Sequence, residues 1–454
     1  MGFPLNTRKR SCPDPVRKVA IPPMKNSRRF QGKTLLVLGS NITADDSVEY
    51  ARQSGAHVIV ADWNDVASSK AKQKADEALP ISTGDFEELC RLVEERDVSG
   101  IFAGVSGFNL NQARRLCEKY DMPFYFTEDQ WRAVNTKGGF RELCIKFGVP
   151  CPRTYYIGDS VADIPWEDLR FPVVTKPVDG SSSSGVFICK DPEQLEKRAT
   201  EDIGLSPTGS IIVEEFVEGD EFTAHYTIHK GKATLSCVDN RYPVAIHQGD
   251  VTTIPVGRIF PSLFLDDYIR QVDEAMTRLC EGIGLTEGVL FIQGLFDGER
   301  FAIFEAGLRS AGEAPYRFLD KVNGVNYLHL LVDHALGVEV DYDPGAEDPY
   351  LGGKCCGVVS FVARGGVVGA IEGLEDAVAR TKSVIEYESR YPVGSTVPDG
   401  DTLHQLMIRF VMICDSRDQM ARDIEYLNGH VNAFDSNGND MVVKMDPRRV
   451  YGIE

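Results

Sequence analysis

The sequence predicts a multidomain protein of mixed α/β and α+β class, and three observations carry that reading. The chain has 454 residues, 43% of them hydrophobic, which is enough for more than one core and, by length, for about three domains. From Thr34 onward short apolar runs alternate with amphipathic stretches, the pattern of βαβ units on a parallel sheet. Later, two β-rich runs, Val289 to Phe296 and Arg300 to Phe304, flank Asp297-Gly298, and an Asp-Gly pair so placed signals two adjacent antiparallel strands.

Composition narrows the function classes. A net charge of −19 argues against nucleic acid as the main partner, because phosphate backbones are bound by clustered positive charge. No run of about 18 apolar residues occurs, so no membrane span is expected, and the first residues lack the apolar core of a secretory signal. A cytoplasmic location is the expectation. The 11 Cys are scattered, with an adjacent pair at Cys355-Cys356 and no Cys-x-x-Cys, which reads as reduced, mostly buried thiols.

Taken in order, residues 1–32 carry eight Lys and Arg, five Pro and one acid, Asp14, without apolar periodicity. They read as a flexible basic arm. The parallel-sheet section follows, with strands expected at Leu35 to Leu38, Val58 to Ala61 and Gly100 to Val105. Helices are expected at Ser47 to Ser54, Phe86 to Glu95 and Gln112 to Tyr120. The first turn, Gly39 to Thr43, could present N–H groups to an anion, but it lacks the Gly-x-Gly-x-x-Gly dinucleotide fingerprint. Asp62 ends the second strand, where an acid reads as a turn or helix cap ahead of a ribose ligand.

A helix over Gly138 to Phe147 follows Asn135-Thr136-Lys137 and is stopped by Gly148 to Pro152. Next comes a strand, Phe171 to Pro177, holding Lys176, then the Gly/Ser loop Asp179 to Gly185 and a strand Val186 to Ile188. Hydroxyls and unhindered N–H groups on such a loop can wrap phosphate; a plain hairpin connection is the alternative. The run Ile211 to Phe222 is strand-like on both sides of an acidic turn. Its backbone could meet an adenine edge and Glu221 could accept from ribose hydroxyls, although acids on a turn also read as solvated.

Residues 240–262 look loop-like, with Arg241, His247 and Arg258 able to meet an anionic or polar substrate. Asp266 to Gly282 has helical spacing. His225 and His229, on a strand-like segment without a third ligand, read as structural. In the hairpin, Gln293, Glu305 and Arg309 could converge at one strand edge, where oxygen donors suit a hard cation and Arg suits phosphate or carboxylate. A helix Tyr327 to Leu336 follows. The section from Gly352 reads as a small α+β domain with strands Cys356 to Ala363, Val367 to Ile371 and Gln405 to Ile413, and a helix Arg417 to His430.

In combination these segments resemble the ATP-grasp superfamily, especially its carboxylate–amine ligases, over most of residues 33–440. The motifs are the lysine-bearing helix, Val-Val-Thr-Lys-Pro with its Gly/Ser loop, Val-Glu-Glu-Phe-Val-Glu-Gly-Asp-Glu, and Phe-Glu-Ala-Gly-Leu-Arg, in that order. The resemblance implies an ATP-grasp fold: a Rossmann-like N-terminal domain (33–127), an ATP-grasp domain (128–350) with a central antiparallel sheet and a lid near 155–217, and a C-terminal α+β domain (351–454). It implies ATP held by Lys137, Lys176, Ser182, Ser183, Ser184 and Gly185, an adenine hinge at Glu214, Glu215, Phe216 and Val217, and Glu221 on the ribose. Gln293 and Glu305 would hold Mg²⁺, with Mn²⁺ as an alternative ion, and Arg309, Lys176 and Glu305 would serve the reaction. Two positions depart from the pattern. Gln293 stands where an acid is usual, though some members use Gln, and Gly307 stands where many members have Asn.

The activity so implied is ATP-dependent amide formation through an acyl phosphate from small-molecule carboxylate and amine substrates, one of them an amino acid. Neither nucleic acid nor a membrane is a partner in this reading, and a homodimer is compatible with it. The loop Ser310 to Pro315 would line the amino-acid pocket, with Glu313 either meeting an ammonium group or solvated. The rival readings are another ATP-grasp reaction of carboxylase or carbamoyl-phosphate type, a nicotinamide oxidoreductase, disfavoured by the missing fingerprint, and a non-catalytic ATP-binding protein.

Overall fold

The structure is a computed structural model that describes residues 28–178, 186–206, 208–245, 254–400 and 402–453. The section from Thr34 forms a four-stranded sheet in the order Glu77–Leu79, His57–Ala61, Thr34–Leu38, Gly100–Ala103, and every pairing is parallel. Leu35 to Leu38 and Val58 to Ala61 are fully buried, as expected of strands covered on both faces. The three-residue strand Glu77–Leu79 and the helices Lys70–Lys74 and Glu128–Asn135 escape the sequence reading, because elements this short or this polar leave little periodicity.

The expected flexible arm is corrected at its end. Residues 1–27 lie outside the described part, but Phe30 is buried against the edge of the Tyr50 ring, and Arg29 forms an ion pair with Asp333 at 2.7 Å. One aromatic and one guanidinium suffice to anchor this stretch, and neither produces a period.

A second four-stranded sheet is antiparallel, in the order Thr154–Gly158, Ile211–Glu215, Val173–Pro177, Phe187–Cys189. The loop Asp179 to Gly185, with Ser182, Ser183, Ser184 and Gly185, lies outside the described residues. The central sheet has the order Lys232–Val238, Asp220–His229, Glu287–Phe296, Phe301–Gly307. Its last two strands are the hairpin around Asp297, whose side chain accepts from the N–H groups of Glu299 and Arg300.

Residues 240–262 are not loop-like. Asn240–Val244 and Ile254–Phe260 are paired strands, and the second continues into a large sheet with Cys355–Ala363, Leu406–Cys414 and Val384–Ser389. Polar and turn-forming residues hid them: Asn240, Arg241, Pro243, Pro255, Gly257 and Arg258 break the apolar signal, and the burial comes from strands about a hundred positions downstream. His247 lies outside the described residues. The helix expected over Asp266 to Gly282 forms with a π-turn at Ile269–Asp273. The helix Arg417–His430 begins at its Ser416 cap and ends as the sequence predicts. Ten cysteines among the described residues are free thiols, and all but Cys151 are buried. No described helix is long and apolar enough to cross a membrane.

Candidate active site

The central sheet brings the predicted ligands together through its register. Gln293 lies opposite Glu305 on one side and Thr223 on the other, while Leu295 lies opposite Glu221 and Phe291 opposite His225 and Gly307. Side chains alternate along a strand, so Glu221, Gln293 and Glu305 share one face. Directly opposed residues have Cβ atoms roughly 5 Å apart. The amide of Gln293 and the exposed carboxylate of Glu305 are thus close enough to share one ion. Among the described residues no group of three or more His, Cys, Asp or Glu forms a metal site. One carboxylate and one amide fit Mg²⁺, which takes few protein ligands and fills the rest of its shell with phosphate oxygens and water.

Arg309 stands past the end of this face on a bend. Its guanidinium lies 4.7 Å from the centre of the Phe291 ring and Nη1 donates to the Ser310 carbonyl at 3.2 Å. Burial lowers its pKa, with Glu305 and Glu313 opposing the shift. Phe291 also accounts for Gly307: a Cβ there would sit 2.6 Å from the ring, so the aromatic side chain occupies the space that an Asn at 307 would need.

One of the two predicted phosphate lysines, Lys176, is held by a buried acid. Glu214 faces Val174 across the second sheet and Lys176 faces Ile212, which puts Glu214 and Lys176 diagonally on one face. Their charged groups meet at 2.6 Å. Arg141 completes the cluster by pairing with the other Glu214 oxygen. It lies one turn beyond Lys137 on the helix Lys137–Phe147, which starts at its Thr136 cap. All three side chains of the cluster are at least nine-tenths buried. Lys176 is therefore held by a carboxylate, and Glu214 of the expected hinge is an ion-pair centre. Glu215 and Phe216 are half-buried and Val217 is buried. Glu215 pairs with Arg300 of the hairpin, and Glu221 pairs with Arg241.

Glu313 is not solvated. It is buried, with one oxygen 3.2 Å from Arg258 Nη1 and 3.4 Å from His225 Nε2. Burial opposes its charge, yet Arg258 and His225 hold the carboxyl well below its usual range. Arg258 also reaches Asp239 at 2.7 Å and Thr223 Oγ1 at 2.6 Å. Of the two histidines, His229 has a structural partner, Glu287, at 2.9 Å; His225 faces this cluster.

In the first sheet, the turn at Gly39 has its helix N–H groups occupied, since the Asn41 side chain accepts from Thr43 and Ala44. Asp62 accepts from the Asn64 N–H at 2.6 Å, as a turn residue does. Arg141, Phe291, Asp239 and Arg409 escaped the sequence reading. A signal existed for two of them: Arg141 is spaced four from Lys137, and Arg409 is the one charged residue in Leu406–Cys414.

Residues 169–314 match the family described as ATP-grasp domain, the span that holds Lys176, Glu214, Gln293, Glu305 and Arg309. The chain carries an ATP-grasp domain. The carbamoyl phosphate synthase large chain of Hyperthermus butylicus is 23% identical over 338 residues, covering 70% of this chain and 30% of that protein. The formate-dependent phosphoribosylglycinamide formyltransferase of Prochlorococcus marinus is 27% identical over 211 residues, 45% of this chain and 53% of that protein. The chain spans about a third of the length of the carbamoyl phosphate synthases it matches first. Among solved structures, the L-amino acid ligase from Bacillus licheniformis superposes with a TM-score of 0.74 at 16% identity, covering 89% of this chain and 99% of that one. The phosphoribosylglycinamide synthetase from Anaerococcus prevotii gives 0.71 at 17%, with the same coverage. At these identities the structural likeness establishes the ATP-grasp fold.

Proposed function

We propose that this protein is an ATP-dependent carboxylate–amine ligase. The observation that carries the reading is the shared face of the central sheet, where Glu221, Gln293 and Glu305 line up and Arg309 closes one end. A carboxylate substrate attacks the γ-phosphorus of ATP, giving an acyl phosphate and ADP. An amine then attacks the acyl carbon, phosphate leaves, and the amine nitrogen loses a proton.

The chain's own groups position and neutralise. Glu221 receives the ribose, the backbone of Glu215 to Val217 receives the adenine, and Lys137 and Lys176 stand toward the phosphates. The Glu214 carboxylate orients Lys176. Arg309 meets the oxygens of the transferred phosphoryl group, which is where charge-stabilising donors act in such transfers. Gln293 and Glu305 would hold Mg²⁺, which supplies charge neutralisation at the phosphates. The division into sections 33–127, 128–350 and 351–454 belongs to the same proposal; the separate parallel sheet supports its first boundary, whereas the large sheet takes strands from both sides of residue 350.

The likeness to the L-amino acid ligase structure supports an amino acid as one substrate. The likeness to carbamoyl phosphate synthases supports a second reading in which bicarbonate is the carboxylate. Release of ADP from ATP and Mg²⁺, measured with amino acids and small carboxylates alone and in pairs, and with bicarbonate, separates the two. Dependence on two organic components establishes the ligase; dependence on bicarbonate gives the second reading; absence of release with every combination refutes both.

A further inference from the structure

The loop Ser310 to Gly312 has a guanidinium from a different element at each of its ends. Arg309 donates to the Ser310 carbonyl, and Arg409 Nη1 donates to the Gly312 carbonyl at 2.9 Å. Arg409 comes from the large sheet. In its register Arg258 faces Val358, Val358 faces Val411, and Ser360 faces Arg409. Arg258 and Arg409 therefore project from the same face two strands apart, one reaching Glu313 and the other Gly312.

Arg258 is compensated by Asp239 and Glu313. Arg409 is not: it is more than nine-tenths buried, its Nε has no hydrogen-bond partner, and no carboxylate oxygen forms an ion pair with it among the described residues. Burial and the neighbouring Arg390 push its pKa down to about 10, and Glu388 and Glu313 only partly offset them. A buried guanidinium without an ion-pair partner is costly even with Glu388 facing it on the neighbouring strand, and its planar donors match an oxyanion. The charged surroundings of the two arginines also differ. Arg309 shares its surroundings with Glu305, whereas Arg409 shares its own with Arg390, Glu388 and Arg317; Glu313 is common to both. Arg409 thus meets the loop at Gly312 from the large sheet, while Arg309 meets it at Ser310, just past the strand that carries Glu305.

We propose that Arg409 anchors a substrate oxyanion that the reaction does not consume, the α-carboxylate of a free amino acid. This rests on the ligase reading for the chemistry that follows binding, and on Arg409 alone for the binding itself. The same pocket chemistry could take a phosphate monoester, and the experiment separates the two.

The test is calorimetry on the full chain with Mg²⁺ and a non-hydrolysable ATP analogue. Each of the twenty L-amino acids, the corresponding carboxamides and ribose 5-phosphate are titrated into wild type, Arg409→Met and Arg409→Lys. The expectation is that at least one amino acid binds wild type and that its carboxamide binds on the order of 10- to 100-fold more weakly, the scale of a charge-assisted hydrogen bond. Arg409→Met should bind acid and amide alike, Arg409→Lys should recover part of the difference, and affinity for the nucleotide analogue should be unchanged in both variants, which checks folding. The anchor is overturned if no amino acid binds, if ribose 5-phosphate binds in their place, or if Arg409→Met keeps the wild-type preference for the acid. Amino-acid binding that depends on Arg409 but supports no ADP release with any second substrate would refute the ligase reading and leave the anchor standing.

Discussion

At the residue scale, the site depends on a few side chains whose neighbours fix their roles. Arg309 lies against Phe291 with no carboxylate ion-pair partner among the described residues, as a group held for a developing negative charge would be. Replacing it by Ala should lower the rate of ADP release by on the order of 10²-fold or more, since single charge-stabilising donors contribute on this scale. Nucleotide affinity should change little. Near-wild-type turnover would remove Arg309 from the mechanism. Gly307 makes a separate prediction. Gly307→Asn introduces a Cβ 2.6 Å from the Phe291 ring and should destabilise the protein by about 1–3 kcal/mol, the usual cost of overpacking. In a Phe291→Ala background the same substitution should cost less, read as the coupling in a double-mutant cycle by urea unfolding. Wild-type stability of the single variant would mean that Phe291 does not exclude a side chain there.

Helices and strands set the electrostatic frame. Arg141 comes from a helix, and Glu214 and Lys176 from adjacent strands; burying this triad is tolerable because each charge finds an opposite one. A different pair of elements makes a pH-sensitive contact. Helix Ile42–Gln53 supplies Tyr50 and helix Tyr327–Ala335 supplies His329, whose rings stack with centroids 3.8 Å apart. Burial pushes the His329 pKa from 6.5 down to about 4, with Asp46 opposing the shift and Arg29 adding to it. The unfolded chain therefore binds the proton first as pH falls. His329 contributes stability above about pH 6.5 that is lost progressively toward pH 4. Asp45 on the same first helix acts in the opposite sense, since burial raises its pKa from 3.8 to about 6, so the total pH dependence hides the histidine. The comparison with His329→Gln isolates it: between pH 7 and pH 4 wild type should lose about 3 kcal/mol relative to the variant. Parallel stability curves would show that His329 does not stay neutral.

For the whole molecule, the point of interest is how the last section is joined to the rest. Strand Ile254–Phe260 leaves the neighbourhood of the central sheet and pairs with Cys355–Ala363, so the large sheet is built from two separated parts of the chain. Cutting after residue 350 would strip Ile259 and Phe260, both fully buried, of their neighbouring strand and create an open apolar edge. A chain ending at 350 should bind a hydrophobic dye and lose near-ultraviolet circular dichroism. A native-like spectrum from that fragment would show that the central part folds unaided.

The sequence by itself determined the local elements and the hairpin. Short apolar runs marked the buried parallel strands, Gly148 to Pro152 marked a helix end, and the Asp-Gly pair marked the hairpin, because side-chain period and turn chemistry are local properties; the pairing of Gln293 with Glu305 also took a bulge between Gln293 and Gly294. Tertiary structure alone decided the partners of the charges. Lys176 and Glu214 are joined by sheet pairing, Glu313 meets Arg258 only when two sheets pack, and Arg409 reaches Gly312 from nearly a hundred positions away. No local pattern encodes such pairs, since burial and charge compensation are settled by whichever distant segments share the same interior.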